Sequence, residues 1–209
     1  MDRSVFNHGG LRHYSKMRNI IVLLLMCLAT LTASAQQSAS EKKILQKISQ
    51  TASSMKSLQC DFVQTQYSKM LGDKMVSKGK MSYVKPNTLR WEYTTPSVFI
   101  LTMKDNVVKL QKQEGKKLVD VKGNKYMKRL ANLILGSITG KSLSDEKLFK
   151  ATVKDNGKDY LVTLIPQKRD IKMIYPKMQI IFSKQKEMAS QVVMYEKSGD
   201  HTVIDFTKR

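Results

Sequence analysis

Cysteine and histidine are scarce in this sequence of 209 residues. It contains two cysteines and three histidines, and only Cys60 and His201 lie beyond residue 35. A single cysteine cannot form an intramolecular disulfide, and no Cys/His cluster has the spacing of a zinc site. His201 belongs to a strand pattern, where a lone histidine is more often a surface residue than a general base, and nothing marks a pair of catalytic carboxylates. We therefore predict a protein that is not an enzyme and that needs no metal or cofactor.

A glycine-rich phosphate loop is also missing. The segment LGSITGKS at residues 135–142 has its two glycines, Gly136 and Gly140, closer together than a P-loop requires. We interpret them as a glycine that ends a helix and a glycine that forms a turn.

No apolar run is long enough to cross a membrane. The longest, Ile20–Leu31, has about a dozen residues, whereas a hydrocarbon layer of ~30 Å needs about 20. Basic residues precede the run and small residues follow it: Arg12, Lys16 and Arg18, then Ala33-Ser34-Ala35. These features predict a signal peptide at residues 1–35, cleaved before Gln36, and a single soluble domain at residues 36–209 that is exported to the periplasm.

The leader has two alternative interpretations. Cys27 lies inside the apolar run, as in a lipoprotein signal, but the residue before it is Met26, and lipidation needs a small residue there. A buried core helix is the other alternative. We favour the cleaved signal peptide and expect Met17 to be the true start, because Met17-Arg18-Asn19 already supplies a short basic segment.

Acidic residues are few relative to basic ones. The 37 Lys and Arg against 17 Asp and Glu give a net charge of +20, or about +17 without the leader. In a cytosolic protein this excess is typical of nucleic-acid binding, but export argues against nucleic acid as a partner. An anionic membrane surface or acidic partner explains the charge as well as a merely solubilising surface does, and both interpretations stay open.

Apolar periodicity predicts two helices and about eleven strands. The first helix, Glu41–Met55, follows an N-cap at Ser40, and the second covers about Lys125–Ser137. The predicted strands are Cys60–Lys69, Lys74–Val84, Asn87–Thr94, Val98–Lys104, Val107–Gln113, Lys116–Val121, Leu148–Lys154, Tyr160–Ile165, Lys177–Phe182, Ser190–Glu196 and His201–Phe206. Short breaks with turn residues make neighbouring strands antiparallel. We therefore predict a mainly β (α+β) fold, an incomplete antiparallel β-barrel or strongly curved sheet whose concave hydrophobic cavity is covered by helices.

Two large aromatic residues share one face of a predicted strand. In Leu89-Arg90-Trp91-Glu92-Tyr93 the apolar and charged residues alternate, so Trp91 and Tyr93 point to the same side. On periodicity alone, an ordinary sheet core explains this pattern better than a binding surface does.

Two segments of the strand-rich part carry specific motifs. One is Ser77–Tyr93 (SKGKMSYVKPNTLRWEY), followed by Pro96, and the other is Asp61–Thr65 (DFVQT), with a weaker match at Tyr160–Pro166. Together they resemble the LolA family of periplasmic lipoprotein carriers. The resemblance implies an incomplete antiparallel barrel with a helix-covered cavity for acyl chains. It also implies a carrier that accepts acylated lipoproteins from an inner-membrane ABC-type release complex and delivers them to the outer membrane or to a receptor there.

Three features differ from the family pattern. Where members have an arginine before the motif proline, this chain has Lys85 before Pro86, and lysine keeps the charge but lacks the planar guanidinium fork. The family's glycine after an aspartate is Asn106 here, and the chain stops at Arg209, where members usually continue. The resemblance implies a role in cargo transfer for Lys85 and Pro86.

The predicted acyl-binding residues are apolar or aromatic side chains of the strands and of the helical cover. They are Phe62, Met81, Tyr83, Leu89, Trp91, Tyr93, Phe99, Leu101, Met103, Leu130, Leu133 and Ile134. Methionine adapts to variable chains, although each methionine taken alone is better explained as core filler. We expect a monomer. The alternatives are a related carrier of another lipid or glycolipid and, from a different class, a periplasmic hydrolase or adhesion domain.

Overall fold

The computed structural model describes residues 39–105, 107–122, 131–136, 140, 143 and 145–208. The chain divides into two units, Met1–Lys42 and Lys43–Arg209, and the second unit contains the sheet. The described helices are α1 (39–54), α2 (131–136) and α3 (Arg169–Ile174). The strands are β1 (Ser57–Ser68), β2 (Asp73–Val84), β3 (Thr88–Thr95), β4 (Phe99–Lys104), β5 (Val107–Glu114), β6 (Lys117–Val121), β7 (Phe149–Asp155), β8 (Asp159–Pro166), β9 (Lys177–Ser183), β10 (Met188–Tyr195) and β11 (His201–Lys208).

The eleven strands form one antiparallel, curved and unclosed sheet. Its order is β6-β5-β4-β3-β2-β1-β11-β10-β9-β8-β7. Every pair therefore joins strands that are consecutive in sequence, except the pair of β1 and β11. In that pairing Phe62 lies opposite Phe206, and Tyr67 lies opposite His201. Short turns join most of the remaining antiparallel pairs, and the connection from β8 to β9 contains α3. The predicted fold class is confirmed.

Strand alternation decides which side chains are buried beneath the helical cover. In β1, Leu58, Cys60 and Phe62 are buried, while the residues between them are half-buried or exposed. Strand β4 has apolar residues on both faces, so its sequence alone does not show which of them share the face of the aromatic strand β3. The register of β4 with β3 shows it. Leu101 lies opposite Trp91 and Met103 lies opposite Leu89, so the odd-numbered residues of β4 share the face of the aromatic strand. Ile100, on the other face, is also buried.

The apolar stripe of α1 packs on the sheet as the periodicity predicts. Ile48 and Ala52 are buried, and Ile44, Leu45 and Met55 pack against the same core. No helix within the described part of the chain is both long enough and apolar enough to span a bilayer.

Helix α3 is absent from the sequence-based prediction. It has six residues, and its N-cap, Lys168, makes no capping bond with its side chain. A helix this short has no apolar period to detect, and a lysine is not a capping residue. Within the predicted second helix, residues 131–136 are helical; the remainder of Lys125–Ser137 lies outside the described residues.

Hydrogen bonds to Asp155 stabilise the turn between β7 and β8. Gly157, at a φ of +83°, donates its N–H to Asp155 Oδ1 over 2.8 Å. Lys184, from the turn after β9, donates to the same oxygen over 2.6 Å. The hydrogen bond from Lys184 and then the one from Gly157 lower the pKa of the Asp155 carboxyl.

Candidate ligand-binding site

A small cavity of about 30 Å³ lies between α1 and the sheet. It is lined by residues of α1, the following loop and both halves of the sheet. These are Ile48, Ala52, Met55, Leu58, Met81, Leu143, Val162, Ile180, Phe182, Met188, Ala189 and Phe206. Every one of these side chains is apolar, so the wall offers dispersion contacts and excludes charged groups.

The volume of this cavity is too small for an acyl chain. About 30 Å³ corresponds to roughly one water molecule, whereas pockets for small organic ligands measure about 300–1,000 Å³. The interior is therefore filled by its own side chains. An acyl chain would fit only after α1 and the flexible side chains of the wall have moved.

An aromatic cluster adjoins the cavity on the inner face of β1, β3 and β11. Phe62 stacks on Trp91 with the ring centroids 4.2 Å apart, and the edge of Tyr93 meets Phe62 at 5.3 Å. Phe206, which also lines the cavity, meets Trp91 edge-on at 6.0 Å. The cluster and the cavity therefore share a wall, and a movement of Phe206 would connect them.

Gly79 makes room for this cluster. In the register of the sheet it lies between Phe62 of β1 and Tyr93 of β3. A Cβ at this position would overlap the ring of Phe62 and the carbonyl oxygen of Glu92. The glycine of the motif is therefore required by packing, since the Phe62 ring occupies the place of its side chain.

The indole N–H of Trp91 is a buried donor with no acceptor among the described residues. Trp91 is 3 % exposed, and Nε1 makes no hydrogen bond. An unpaired buried donor costs about 1–3 kcal/mol. Because Trp91 packs on Phe206 at the edge of the cavity, a ligand carbonyl that reached this region would find a donor already desolvated.

Polar contacts hold α1 and its end against the rest of the domain. Lys85 Nζ donates to the carbonyl oxygen of Ser53 over 3.2 Å, and the N–H of Lys85 donates to the Lys56 carbonyl over 2.9 Å. A cation at the last turn of a helix is favourable, since the carbonyl groups there are partly unpaired. The motif lysine thus connects the β2–β3 turn to the end of the covering helix.

A second contact joins α1 to Gly140. Ser49 Oγ donates to the Gly140 carbonyl over 3.1 Å, and a Cβ on Gly140 would lie 2.8 Å from Ser49 Cα and 3.0 Å from Ala52 Cβ. Gly140 has a φ of +72°, as expected for a turn glycine. Because Gly140 has no side chain, its backbone can lie close to α1.

The predicted site residues are mostly inside the domain, but few of them touch the cavity. Tyr93, Phe99 and Ile134 are half-buried; the other buried members are Phe62, Met81, Tyr83, Leu89, Trp91, Leu101, Met103 and Leu133. Of the predicted set, Met81 lines the cavity, and Leu130 lies outside the described residues. Lys85 and Pro86 are exposed in the β2–β3 turn. A binding role for these residues stays a prediction.

Tyr83 connects the inner face of β2 to the same turn. Its hydroxyl donates to the Pro86 carbonyl over 3.2 Å, and burial raises the pKa of the Tyr83 phenol. The phenol therefore remains neutral and acts as a donor that fixes the turn carrying Lys85.

Sequence reasoning missed the part of the wall that comes from α1 and from strands β8–β10. Ile48, Val162, Ile180, Phe182 and Met188 all line the cavity. The apolar stripe of α1 carries the signal for Ile48, and alternation in the second half of the chain carries it for the strand residues. The stronger sequence motifs lie in the first half, and so do all the strand residues that were assigned to the site.

The fold and the cavity define the class of protein: a curved antiparallel sheet whose helix-covered interior is lined by apolar side chains. The chain belongs to the LolA family, since the family profile described as outer membrane lipoprotein carrier protein LolA matches residues 53–209. This match confirms the resemblance carried by Ser77–Tyr93. The family consists of carrier or binding proteins rather than enzymes.

Solved structures resemble this chain at low sequence identity. A DUF1329 family protein from Desulfovibrio piger has 10 % identity and a TM-score of 0.42, covering 81 % of this chain and 90 % of that one. A LolA superfamily protein from Nitrosomonas europaea has 10 % identity and a TM-score of 0.39, covering 78 % and 90 %. LprF from Mycobacterium bovis has 11 % identity and a TM-score of 0.48, covering 81 % and 92 %. No curated protein sequence matches significantly.

Proposed function

We propose that this protein is a periplasmic carrier that binds the acyl chains of lipoproteins and moves them from the inner to the outer membrane. The observation that carries the proposal is the all-apolar cavity beneath α1 in a chain of the LolA family. The leader at residues 1–35 supports export. In this proposal the protein acts as a monomer, accepts cargo from an inner-membrane ABC-type release complex, and delivers it to the outer membrane or to a receptor there.

The energetics of an acyl chain explain why a carrier is needed. Burial of each CH₂ group is worth about 0.8 kcal/mol, so a chain of about 16 carbons does not leave a membrane for water unaided. The small volume of the cavity lowers the free energy of the protein without cargo, because the apolar walls pack on one another instead of facing water. Loading then exchanges contacts between wall side chains for contacts with the chain.

The cavity wall is suited to variable guests because it contains three methionines. Met55 follows the end of α1, Met81 belongs to β2 and Met188 belongs to β10. Methionine has an unbranched, polarizable side chain that fills irregular spaces. In the proposed open state these side chains would swing aside and follow the outline of the acyl chains.

Lys85 and Pro86 are proposed to act in release. The Lys85 ammonium binds the carbonyl of Ser53 in the last turn of α1, so its release from Ser53 would free the end of the cover. This gives the motif lysine a role that depends on charge and reach rather than on the planar fork of an arginine.

The proposal is tested by identifying the ligand of the native protein. Protein purified from the periplasm without detergent is expected to yield acylated lipoprotein, detected by mass spectrometry of the extract, and depletion in the cell is expected to leave lipoproteins in the inner membrane. Another lipid or a glycolipid in the extract would reassign the cargo. A protein that carries no ligand, binds no fluorescent fatty-acyl probe and leaves lipoprotein sorting unchanged on depletion would contradict the proposal.

A further inference from the structure

The turn between β1 and β2 presents large apolar side chains to solvent. Met70 is 88 % exposed and Leu71 is 73 % exposed, more than the other large apolar residues of the described chain. Met75 and Val76, at the start of β2, are also exposed. We define residues 69–76 as the β1–β2 tip. Adjacent exposed apolar side chains that pack on nothing in their own domain mark an interaction site.

The backbone of the β1–β2 tip is fixed, so the exposure of its side chains is built into the structure. The N–H of Gly72 donates to the Ser68 carbonyl over 3.0 Å, and the N–H of Lys69 donates to Asp200 Oδ1 over 2.7 Å. Asp200 belongs to the turn between β10 and β11, where Gly199 lies against the side chain of Lys69. The two turns therefore support each other at one end of the sheet.

The β1–β2 tip carries a lysine on either side of its two most exposed apolar residues. Lys69 and Lys74 are both exposed, and Asp73 and Asp200 accept backbone N–H groups from Lys74 and Lys69. The two aspartates balance the two lysines locally, but the whole chain has 37 basic and 17 acidic residues and a net charge of +20. This excess of positive charge favours an anionic surface as the partner.

Helix α3 extends this surface at the same end of the sheet. β9 begins opposite the end of β10, with Lys177 paired to Tyr195, so α3 lies next to the turn between β10 and β11. Met173 of α3 is 54 % exposed, and Lys197 of that turn reaches its sulfur over 3.3 Å. A third exposed apolar side chain with a lysine beside it therefore accompanies Met70 and Leu71.

We propose that the β1–β2 tip is a membrane-contact element that inserts Met70 and Leu71 into an anionic lipid bilayer. The proposal rests on the proposed function, for which it names the surface that meets a membrane during loading or delivery. Exposed apolar side chains beside lysines fit the boundary between phosphate headgroups and acyl chains, where the charges meet phosphates and the apolar groups leave water. A bilayer accepts such side chains without a complementary pocket, which a folded protein partner would have to supply.

The proposal is tested by co-sedimentation of the purified protein with vesicles. The vesicles are phosphatidylethanolamine with phosphatidylglycerol, compared with pure phosphatidylcholine. The double variant Met70→Ser/Leu71→Ser is expected to bind the anionic vesicles at least about tenfold more weakly than the parent. The matched control Val107→Ser/Leu118→Ser removes exposed apolar side chains from β5 and β6, and it is expected to bind like the parent.

Two outcomes would overturn the proposal. One is a parent protein that binds neither vesicle or prefers phosphatidylcholine, and the other is a tip variant that binds like the control. Because Met70 and Leu71 are exposed, the tip variant is expected to unfold at the parent temperature and to bind a fluorescent fatty-acyl probe normally. Failure of the proposed function would instead abolish probe binding by parent and variants alike, so the two failures are distinguishable.

A second measurement reports the depth of insertion. Leu71→Cys, labelled with an environment-sensitive fluorophore, is expected to shift its emission to the blue on anionic vesicles. Val107→Cys is expected to show no shift, and Cys60 is buried, so the parent labelled in the same way gives the background. Equal shifts at positions 71 and 107 would contradict insertion of the tip.

Discussion

Gly79 illustrates how a single residue determines the packing of the candidate site. The ring of Phe62 occupies the space beside it, and Tyr93 follows on the next strand. The aromatic stack on Trp91 therefore depends on a position that has no side chain. A methyl group there would have to displace either the ring or the backbone of β3.

We expect Gly79→Ala to lower the free energy of unfolding by about 3 kcal/mol, because overpacking of a filled core costs typically 1–3 kcal/mol and part of the obstruction is backbone. Urea denaturation followed by circular dichroism measures the change. Lys80→Ala, at the exposed neighbouring position, is the control and is expected to change stability by less than about 0.5 kcal/mol. Equal stability of the two variants would show that the sheet accommodates the methyl group.

The unpaired indole of Trp91 leads to a prediction about ligands. If the carbonyl of an acyl ester accepts a hydrogen bond from Nε1, Trp91→Phe loses that bond, which is worth about 0.5–1.5 kcal/mol or roughly 2–13-fold in affinity. A hydrocarbon probe without a carbonyl serves as the control ligand and is expected to bind the variant and the parent similarly. Competition binding with both ligands measures the difference. An equal loss for both would mean that Trp91 contributes only apolar surface.

At the scale of elements, α1 is the part whose movement the proposed function requires. Its polar attachments are exposed or half-buried: Lys85 to Ser53 at one point, and Ser49 to Gly140 at another. Single hydrogen bonds of this kind contribute about 0.5–1.5 kcal/mol each. Breaking these two polar attachments would therefore add little to the free-energy cost of moving α1.

We expect Lys85→Met to speed the binding of a fatty-acyl probe several-fold and to accelerate amide hydrogen exchange at the end of α1. The loss of one exposed hydrogen bond should cost about 1 kcal/mol or less in overall stability. Stopped-flow fluorescence and hydrogen exchange detected by mass spectrometry provide the two readouts. Lys80→Met removes an exposed lysine from the adjoining strand β2 and should leave both rates unchanged. Unchanged rates in Lys85→Met would show that this lysine does not hold the cover.

The edges of the sheet are the other elements that bear on association with another chain. β6 and β7 are the two outer strands, and each carries charged residues, Lys117 and Asp120 in one and Lys150 and Lys154 in the other. Charges on an edge strand discourage pairing with another chain. The open sheet is thus compatible with the monomer that we propose.

At the scale of the whole molecule, the sequence is informative about the sheet and much less so about the interior. Alternation and turn residues predict all eleven strands, because most strands have a buried and a less buried face and most breaks contain a residue that suits a turn. Helix α3 escapes prediction because six residues without a capping side chain leave no pattern.

Local sequence patterns do not predict the cavity. Its walls combine Ile48 of α1 with Ile180 and Phe182 of β9, residues brought together only by the curvature of the sheet and the placement of the helix. Whether such a space is filled or empty depends on side-chain packing across several elements, which no periodicity encodes. The sequence could therefore identify buried residues such as Leu89 and Met103 but not which of them face a guest.

The pairing of β1 with β11 determines the order in which the domain can be completed. Within each half of the chain, consecutive strands can pair with one another. The pairing of β1 with β11, in contrast, joins the first and the last strand of the sequence. Such non-local pairing forms late and leaves an unpaired strand edge until then. Since Phe206 of β11 belongs to the wall around the cavity, this wall stays incomplete until the final strand has docked.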